Sequence, residues 1–572
     1  MITRSALKSH SIGLIAILIG LVTLAVFLPA IHGGFVNWDD DVNLVNNPDF
    51  RGFTWNHLAW MWTNHLGAHY IPLTWMSFGL DYALWKEAPL GYHLTNVLLH
   101  AANAAAFFLL ALAILKRSFS GNGSGGTGSR SQGAVVLGAA FAALFFGLHP
   151  LRVESVAWAT ERRDVLSGLF YMLAVLIYVR AFRTEPHRSL PRTHYLACLA
   201  LFVMAILSKE IAVTLPVVLL ILDAYPLRRL GASGGWFGRE SRGVWLEKIP
   251  FFAIALADGF MTLLFARRAH LMRPAEALGW VPRIAITVYD GAFYLLKTIV
   301  PVRLSPLYPL TQYKTHLSGM PIQLSAAAVL LVTVAGIALR RRFPGLLSAW
   351  VACVVTLLPV SGIFQAGFQI AADRYTYLAC LGWALLAGGA ITLGWQTVQH
   401  SRIGKVMLGS GAVLVLFTLS YLTRKQIPVW RDSRTLWTQA IAVEPFFAMH
   451  LNLAGALFNE GDSLGAVEQY RHAIALWPDN AAIHCMLGGA LLDLRDGDQA
   501  AREFRLAIQF EPTPDAYVGL SRALAIQGKL DEEMEVLSEA MRRDPGNARY
   551  KDTLERAVSL KVKTTPVSSA VP

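Results

Sequence analysis

Three consecutive carboxylates, Asp39, Asp40 and Asp41, follow the first apolar stretch of the chain, where hydrophobic residues give way to polar ones. Unpaired like charges repel, so a membrane anchor has no need of such a cluster beside the bilayer. Acidic side chains at a membrane boundary are typical of sites that act on a substrate, a metal ion or a cationic partner. The alternative is that the triplet caps the next helix through its backbone N–H groups.

A second group of ionisable residues lies between two later apolar stretches. It comprises His149, Arg152, Glu154, Glu161, Arg162, Arg163 and Asp164. By the alternation of spans these arginines lie outside, against the usual excess of basic residues in cytoplasmic loops. An anionic partner such as a lipid phosphate would explain them. A salt-bridged loop would explain them equally well, because three carboxylates lie close by.

Two shorter groups are expected on the same side. Asp373, Arg374 and Tyr375 lie at the outer end of a span, where a guanidinium could bind a phosphate in a bidentate manner. Tyr375 is also typical of residues at a membrane interface. The pair Lys209-Glu210 lies between two apolar stretches and is either a buried ion pair at a tight turn or a further part of an outer site.

The composition indicates the elements that must position these residues. Hydrophobic residues make up 54% of the 572 and charged residues only 15%, against about 25% charged in soluble domains. The net charge of +12 is concentrated in short basic clusters between apolar stretches, such as Arg340, Arg341 and Arg342. This is the pattern of cytoplasmic loops, so we expect a membrane protein and no nucleic-acid partner.

We predict an all-α fold with about eleven membrane spans in residues 1–424. The first covers 11–31, and the others lie near 92–115, 133–149, 164–182, 194–208, 210–224, 249–266, 321–339, 345–360, 376–395 and 405–423. With a cytoplasmic N-terminus, residues 32–90 form the first outside loop. An odd number of spans places the C-terminus outside. The stretch 284–300 would break the alternation of basic loops, so we interpret it as interfacial or re-entrant.

An internal repeat fills residues 425–560. Pro445, Pro478, Pro512 and Pro545 recur at intervals of 33, 34 and 33 residues, with small and aromatic residues at matching offsets between them. This is the tetratricopeptide (TPR) pattern and predicts an α-solenoid of about three repeats and a half-repeat. Its concave face would suit a peptide or protein. Residues 561–572 are expected to be a disordered tail.

Several long runs resemble a known family. They are FVNWDD, YIPLTWMSFGLD, GYHLTNVLLH, GLHPLRVESVAWATERRDVLSGLFY, SKEIAVTLP and QAGFQIAADRYTYLACLG. They are similar to the bacterial relatives of the transmembrane-and-TPR protein O-mannosyltransferases, over most of the membrane domain and into the repeats. The resemblance implies a GT-C glycosyltransferase that uses a polyprenyl-phosphate sugar. It also implies that the family's diacidic motif corresponds to Asp39 and Asp40.

The residue types fit that chemistry. Transfer of a sugar from a lipid phosphate to a hydroxyl requires a carboxylate that accepts the proton and cations that hold the departing phosphate. Asp39 or Asp40 would be the base, and the other would orient the acceptor or bind a metal. The expected phosphate-binding residues are Arg152, Arg162, Arg163, Lys209 and Arg374. The expected supporting residues are His149, Glu154, Asp164, Glu210, Asp373 and Tyr375. A divalent cation, Mg²⁺ or Mn²⁺, is allowed but not required.

The leading prediction is an inverting transfer of a sugar, mannose by the resemblance, to a Ser or Thr hydroxyl of a protein. It would occur at the outer face of the cytoplasmic membrane, where the repeats would present the acceptor.

One alternative is a non-enzymatic TPR scaffold, for which a single span would suffice. Another is a transporter of a lipid-linked sugar, which predicts ionisable residues deep inside spans. Asp258 and Asp290 are the main residues of that kind.

Overall fold

The computed structural model describes residues 4–66, 69–120, 129–182, 191–231, 235–268, 279–310, 319–364 and 369–564. Within these ranges the chain forms 24 α-helices, short 3₁₀ and π turns and one two-stranded antiparallel sheet. Contacts within the chain divide it into two units, Met1–Asp432 and Ser433–Pro572. The predicted all-α fold, with a polytopic helical part followed by a TPR solenoid, is confirmed.

The first unit contains sixteen of these helices. They are α1 (Arg4–Phe27), α2 (Trp55–Thr63), α3 (Pro72–Trp85), α4 (Pro89–Ser120), α5 (Ser129–Gly147), α6 (Val153–Ala157), α7 (Arg162–Ala181), α8 (Arg192–Ile206), α9 (Leu215–Ala224), α10 (Arg242–Arg268), α11 (Trp280–Ile299), α12 (Met320–Ala338), α13 (Pro344–Leu357), α14 (Thr376–Ala379), α15 (Leu381–Thr397) and α16 (Arg402–Gln426). The strands β1 (Tyr308–Pro309) and β2 (Gln369–Ala371) pair with Tyr308 opposite Ala371.

Six helices within the described ranges are long and apolar enough to cross a membrane. They cover His10–His32, Pro89–Phe119, Arg162–Ala181, Arg242–Phe265, Met320–Ala338 and Arg402–Trp430. The number rises to eight if each of two bent helix pairs is one span. The predicted spans at 194–208, 210–224 and 345–360 correspond to shorter helices, so the count of eleven stays a prediction.

Helix α11 covers nearly all of the stretch 284–300, which the sequence predicts to be interfacial or re-entrant. Its buried residues Arg283, Ile286, Asp290 and Phe293 recur every three or four positions, so one face packs against the protein. The opposite face exposes apolar side chains, including Ile299. This arrangement is compatible with the interfacial interpretation, which stays a prediction.

The two bent pairs bring distant parts of the site together. Gln132–Gly147 is bent by 53° against Pro150–Ala157, and Asp373–Ala379 is bent by 58° against Leu381–Thr397. The long arms cross at Gly138 and Gly388, where a Cβ at position 388 would lie 2.3 Å from the Gly138 carbonyl oxygen. Because any side chain would collide there, glycine allows the close crossing. The short arms are joined by a hydrogen bond of 2.8 Å from Arg152 Nη2 to Thr376 Oγ1.

The second unit is a row of antiparallel helices. They are α17 (Ser433–Val443), α18 (Phe447–Asn459), α19 (Ser463–Leu476), α20 (Ala481–Asp493), α21 (Gly497–Phe510), α22 (Pro514–Ile526), α23 (Leu530–Arg543) and α24 (Ala548–Thr564). Turns within successive repeats place Gly461, Arg495 and Gly528 at positive φ. Most of the predicted disordered tail, residues 565–572, lies outside the described residues.

Candidate functional site

The acidic triplet follows a 3₁₀ turn, Leu28–His32, at the end of α1. Asp39 has φ +68° and an exposed side chain, Asp40 is fully buried, and Asp41 is half-buried. Aspartate tolerates the left-handed region better than most residues, yet the conformation still costs about 1–2 kcal/mol. Backbone strain of this kind concentrates at functional sites, which singles out Asp39 within the triplet.

Asp40 is engaged on both carboxylate oxygens. Oδ1 accepts hydrogen bonds from the backbone N of Thr160 at 2.9 Å and from its hydroxyl at 2.6 Å. Oδ2 accepts one from Val36 N at 3.0 Å. Burial raises the pKa of Asp40 to about 7, although these three hydrogen bonds lower it. Asp40 therefore ties the first loop to the segment before α7, while Asp39 faces outward.

A buried carboxylate, Glu161, lies at the centre of a network of ion pairs. Its Oε1 accepts from Arg163 Nη2 at 2.7 Å and its Oε2 from Lys209 Nζ at 2.7 Å. Arg374 Nε lies 3.6 Å from the same Oε1. Burial alone would raise the pKa of Glu161, but Arg163, Lys209 and Arg374 hold it well below its usual range. Glu161 is therefore ionised.

Two further carboxylates complete the pairing. Lys209 Nζ also donates to Asp164 Oδ1 at 2.7 Å, and Arg374 donates to Glu154 through Nη1 at 2.5 Å and through its backbone N at 2.8 Å. Burial would lower the pKa of Lys209, but Asp164 and Glu161 raise it, so the ammonium stays charged. Three cations thus face three carboxylates. The Asp39 carboxylate interacts electrostatically with Arg163 at the edge of this network.

Arg152 differs from these cations. Its side chain is buried, with the guanidinium 5.3 Å from the ring of Phe146 and 5.6 Å from that of Tyr377. Within the part of the chain that the structure describes, its Nε and Nη1 have no hydrogen-bond acceptor and no carboxylate forms an ion pair with it. The Cys380 thiol also contacts it, but a thiol is a weak acceptor. Arg152 therefore retains donors that could bind an anion.

An apolar groove of about 950 Å³ runs between the helices α5, α11, α12, α13, α15 and α16. Its walls include Leu295, Val302, Leu331, Ala335, Leu414 and Leu422. Thr298 also lines it, and the Thr298 hydroxyl lies 3.2 Å from Cys380 Sγ, the thiol that contacts Arg152. Two side chains in contact, Thr298 and Cys380, thus connect the groove to the guanidinium.

Arg162, an expected phosphate-binding residue, lies in a different network. Its Nη2 donates to Asp81 Oδ2 at 2.6 Å and to the Tyr92 carbonyl at 2.7 Å, and its Nε donates to Asn96. The side chain is completely buried. These bonds connect α3, α4 and α7, and they occupy most of the guanidinium's donors.

Four expected supporting residues make contacts of their own. His149 Nε2 donates to the Thr298 carbonyl at 3.1 Å, and Asp373 Oδ1 accepts from Tyr308 OH at 3.0 Å. The Glu210 carboxylate lies 3.1 Å from His69 Nδ1, while the ammonium of the neighbouring Lys209 binds Glu161 and Asp164. Tyr375 OH accepts from Gln369 Nε2 at 2.7 Å, and the Tyr375 ring centroid lies 5.0 Å from the Arg374 guanidinium.

The described side chains include no group of three or more His, Cys, Asp or Glu residues arranged to hold a metal ion.

Sequence reasoning missed two residues that organise the site, Thr160 and Trp158. Thr160 binds Asp40, and Trp158 stacks between two other indoles. Their position directly before the charged run Glu161–Asp164 is the signal that could have drawn attention to them, but no local pattern specifies their distant partners.

The fold and the buried charge network define a multi-pass helical membrane protein with a C-terminal repeat unit. Residues 430–481 and 485–548 match the family model described as tetratricopeptide repeat. The solved structure of yeast Tom70 aligns with a TM-score of 0.21 and 14% identity, covering 74% of this chain and 85% of that chain. That likeness is too weak to support an argument, so the repeat assignment rests on the family model and the helix pattern.

Three named relatives are similar over most of the chain. The Mus musculus protein O-mannosyl-transferase TMTC4 is 26% identical and covers 80% of this chain and 65% of its own length. Homo sapiens TMTC3 is 24% identical and covers 87% of this chain and 55% of its own length. Drosophila melanogaster Tmtc1 is 27% identical and covers 82% of this chain and 62% of its own length. The resemblance to the transmembrane-and-TPR O-mannosyltransferases is therefore confirmed. The chain spans less than two thirds of the length of these relatives.

Replacing Thr160 by valine tests the hydrogen bond from the Thr160 hydroxyl to the Asp40 carboxylate. Loss of the hydroxyl donor raises the pKa of Asp40 further, so the ionised form becomes less stable in the folded protein. At pH values above the pKa of Asp40, we expect Thr160→Val to lower the free energy of unfolding by about 1–3 kcal/mol. At pH values below this pKa, the loss should be smaller. Thermal unfolding of the detergent-solubilised protein near pH 6 and pH 9 measures this difference.

The matched control is Thr160→Ser, which keeps the hydroxyl and should behave like the natural protein at both pH values. Equal unfolding midpoints for the valine and serine variants near pH 9 would show that the hydroxyl does not hold Asp40.

Proposed function

We propose that the protein is a membrane glycosyltransferase that transfers a sugar from a polyprenyl-phosphate donor to a Ser or Thr hydroxyl of a protein. The observation that carries this proposal is the exposed Asp39 carboxylate in a strained backbone conformation, which interacts electrostatically with Arg163 of the buried ion network. The relatives are named protein O-mannosyl-transferases, which makes mannose the proposed sugar.

Asp39 is the proposed base. The acceptor oxygen attacks the anomeric carbon of the donor sugar while its proton passes to the Asp39 carboxylate. The bond from the anomeric carbon to the phosphate oxygen breaks on the opposite side, and its electron pair leaves with the phosphate. Configuration at the anomeric carbon is therefore inverted. Asp40, whose oxygens are engaged by Val36 and Thr160, positions the loop and does not meet the acceptor.

Arg152 is the proposed contact to the donor phosphate. It is buried and has guanidinium donors without acceptors among the described residues, and phosphate oxygens would satisfy them. Arg163, Lys209 and Arg374 each bind a carboxylate already, so their proposed role is to supply a positive field and to hold the loops in place. Arg162 has a structural role in this proposal.

The apolar groove is the proposed site of the polyprenyl chain. Its walls are almost entirely hydrocarbon, which suits an isoprenoid rather than a sugar or a polar peptide. It runs between helices that include candidate membrane spans, so a lipid could enter from the bilayer. We propose that the chain occupies the groove while its phosphate reaches the guanidinium past Thr298 and Cys380, which contact one another at 3.2 Å.

The acceptor side of the proposal concerns the repeats. TPR units are typical peptide-binding and protein-binding modules, and we propose that this one presents the acceptor protein. Transfer would occur at the outer face of the cytoplasmic membrane, with the N-terminus in the cytoplasm.

The orientation has a direct test. A reporter active only outside the cytoplasm is expected to be active when fused after Asp432 and when inserted near Asn46, because both sites belong to the outer side in this proposal. Fusion near Arg341, in a basic cytoplasmic loop, should give no activity. Cytoplasmic placement of either of the first two fusions would contradict the orientation.

Replacing Asp39 by asparagine tests the base. We expect Asp39→Asn to lower the rate of transfer by about 10²–10⁴-fold, since an amide cannot accept the proton. The assay follows radiolabelled mannose from synthetic polyprenyl-phosphate mannose to a Ser/Thr-containing protein, with purified enzyme in detergent. Asp41→Asn removes a neighbouring charge of the same sign and should stay within a few-fold of the natural rate. An undiminished rate for Asp39→Asn would remove the catalytic assignment.

The donor site is tested by two variants. Arg152→Met keeps the length of the side chain and leaves no carboxylate unpaired, so the fold should persist while kcat/KM for the donor falls by about 10²-fold. Ala335→Trp fills part of the groove and should raise the KM for a long-chain donor.

A short-chain donor supplies the control for Ala335→Trp, because it would not extend along the groove and its KM should not change. An equal loss with long and short donors would show that position 335 acts on the fold and not on the lipid. Normal donor kinetics in Arg152→Met would remove the phosphate assignment.

A further inference from the structure

Three indole rings form a continuous stack beside the proposed site. Trp38 and Trp158 stack with ring centroids 6.3 Å apart and an interplanar angle of 29°. Trp158 and Trp430 stack at 5.5 Å and 20°. Trp158 and Trp430 are buried, and Trp38 is half-buried. The rings come from the first loop, from the segment before α7 and from the 3₁₀ turn after α16.

Each end of the stack adjoins a functional part of the chain. Trp38 directly precedes Asp39, the proposed base. Trp430 lies three residues before Ser433, where the repeat unit begins. A backbone hydrogen bond of 2.8 Å from Gly34 N to the Arg431 carbonyl joins the same two segments independently of the rings. The end of the first unit is therefore docked on the loop that carries the acidic motif.

The central residue makes two further contacts, one through its backbone and one through its ring. Asn96 Nδ2 donates to the Trp158 carbonyl at 3.0 Å, and the Arg374 guanidinium lies 5.5 Å from the Trp158 ring centroid. Aromatic rings that stack restrict one another's orientation. Trp430 therefore restricts the tilt of the Trp158 ring on which Trp38 stacks.

We propose that Trp430 is a positioning residue for the acidic loop, acting through Trp158 and Trp38 on Asp39. This inference rests on the proposed function for its effect on the reaction, because Asp39 is the base only in that proposal. Trp430 itself touches neither donor nor acceptor. The segment to which the repeats are attached thus positions the loop that carries the proposed base.

The variant that tests this inference is Trp430→Leu, which keeps a large apolar side chain but removes the flat ring. We expect kcat to fall by about 10–100-fold, since a small misplacement of a reacting group is costly, while the KM for the donor stays unchanged. Hydrogen–deuterium exchange of the full chain in detergent should show faster exchange of the backbone amides of residues 35–45. Trp430→Phe restores an aromatic face and should recover most of kcat and of the protection.

The matched control is Trp350→Leu. Trp350 is also a buried indole of the first unit, it lies 6.2 Å from Trp383, and it is outside the stack. Its replacement should lower the thermal midpoint as Trp430→Leu does, but leave kcat and the exchange of residues 35–45 unchanged. An equal fall of kcat in both leucine variants, or unchanged exchange of residues 35–45 in Trp430→Leu, would overturn the inference.

The exchange measurement separates this inference from the proposed function. If the natural protein transfers no sugar, the proposed function fails. Even then, faster exchange of residues 35–45 in Trp430→Leu, but not in Trp350→Leu, would show that Trp430 holds the loop. Transfer by the natural protein with no change of exchange or kcat in Trp430→Leu leaves the proposed function standing and removes the positioning role.

Discussion

The ionised carboxylate of Glu161, surrounded by Arg163, Lys209 and Arg374, is the interaction on which the geometry of the site depends. A charge removed from water is stable only if opposite charges and hydrogen bonds replace its hydration, and removing one partner of a buried pair costs about 3–5 kcal/mol. The three cations come from the start of α7, from the turn after α8 and from the turn before α14. Holding Glu161 therefore fixes these three segments relative to one another.

The short segment from Trp158 to Asp164 connects every other part of the site. Trp158 lies between the indoles of the first loop and of the turn after α16, and Thr160 binds the carboxylate of Asp40. Arg162 points into the network of Asp81 and Asn96, while Asp164 shares Lys209 with Glu161. Consecutive residues at the start of a helix point in different directions, so one short stretch can hold several separate neighbours.

The ionisable residues of the site differ in whether they form ion pairs with one another. Most of them pair with one another and neutralise the interior, as in the salt-bridged loop that was one interpretation of the sequence. Asp39 is exposed at the edge of the network, and Arg152 is buried with unused donors among the described residues. An exposed carboxylate and a buried guanidinium with unused donors are what the proposed transfer requires of a base and of a phosphate site.

The sequence by itself determined the local features. Runs of apolar residues predicted the helices of the first unit, and the spacing of prolines near 34 residues predicted the repeats, because both properties depend on residues close together in the chain. The same motifs placed Asp39, Arg152, Glu154, Lys209 and Arg374 among the candidates. Only the tertiary structure decided their partners, because those contacts join residues far apart, such as Arg374 and Glu154, which are 220 positions from one another. Burial separates Asp39 from Asp40, and the hydrogen-bond partners of the guanidinium separate Arg152 from Arg162. Both differences result from the packing of several helices and are not encoded by any local spacing.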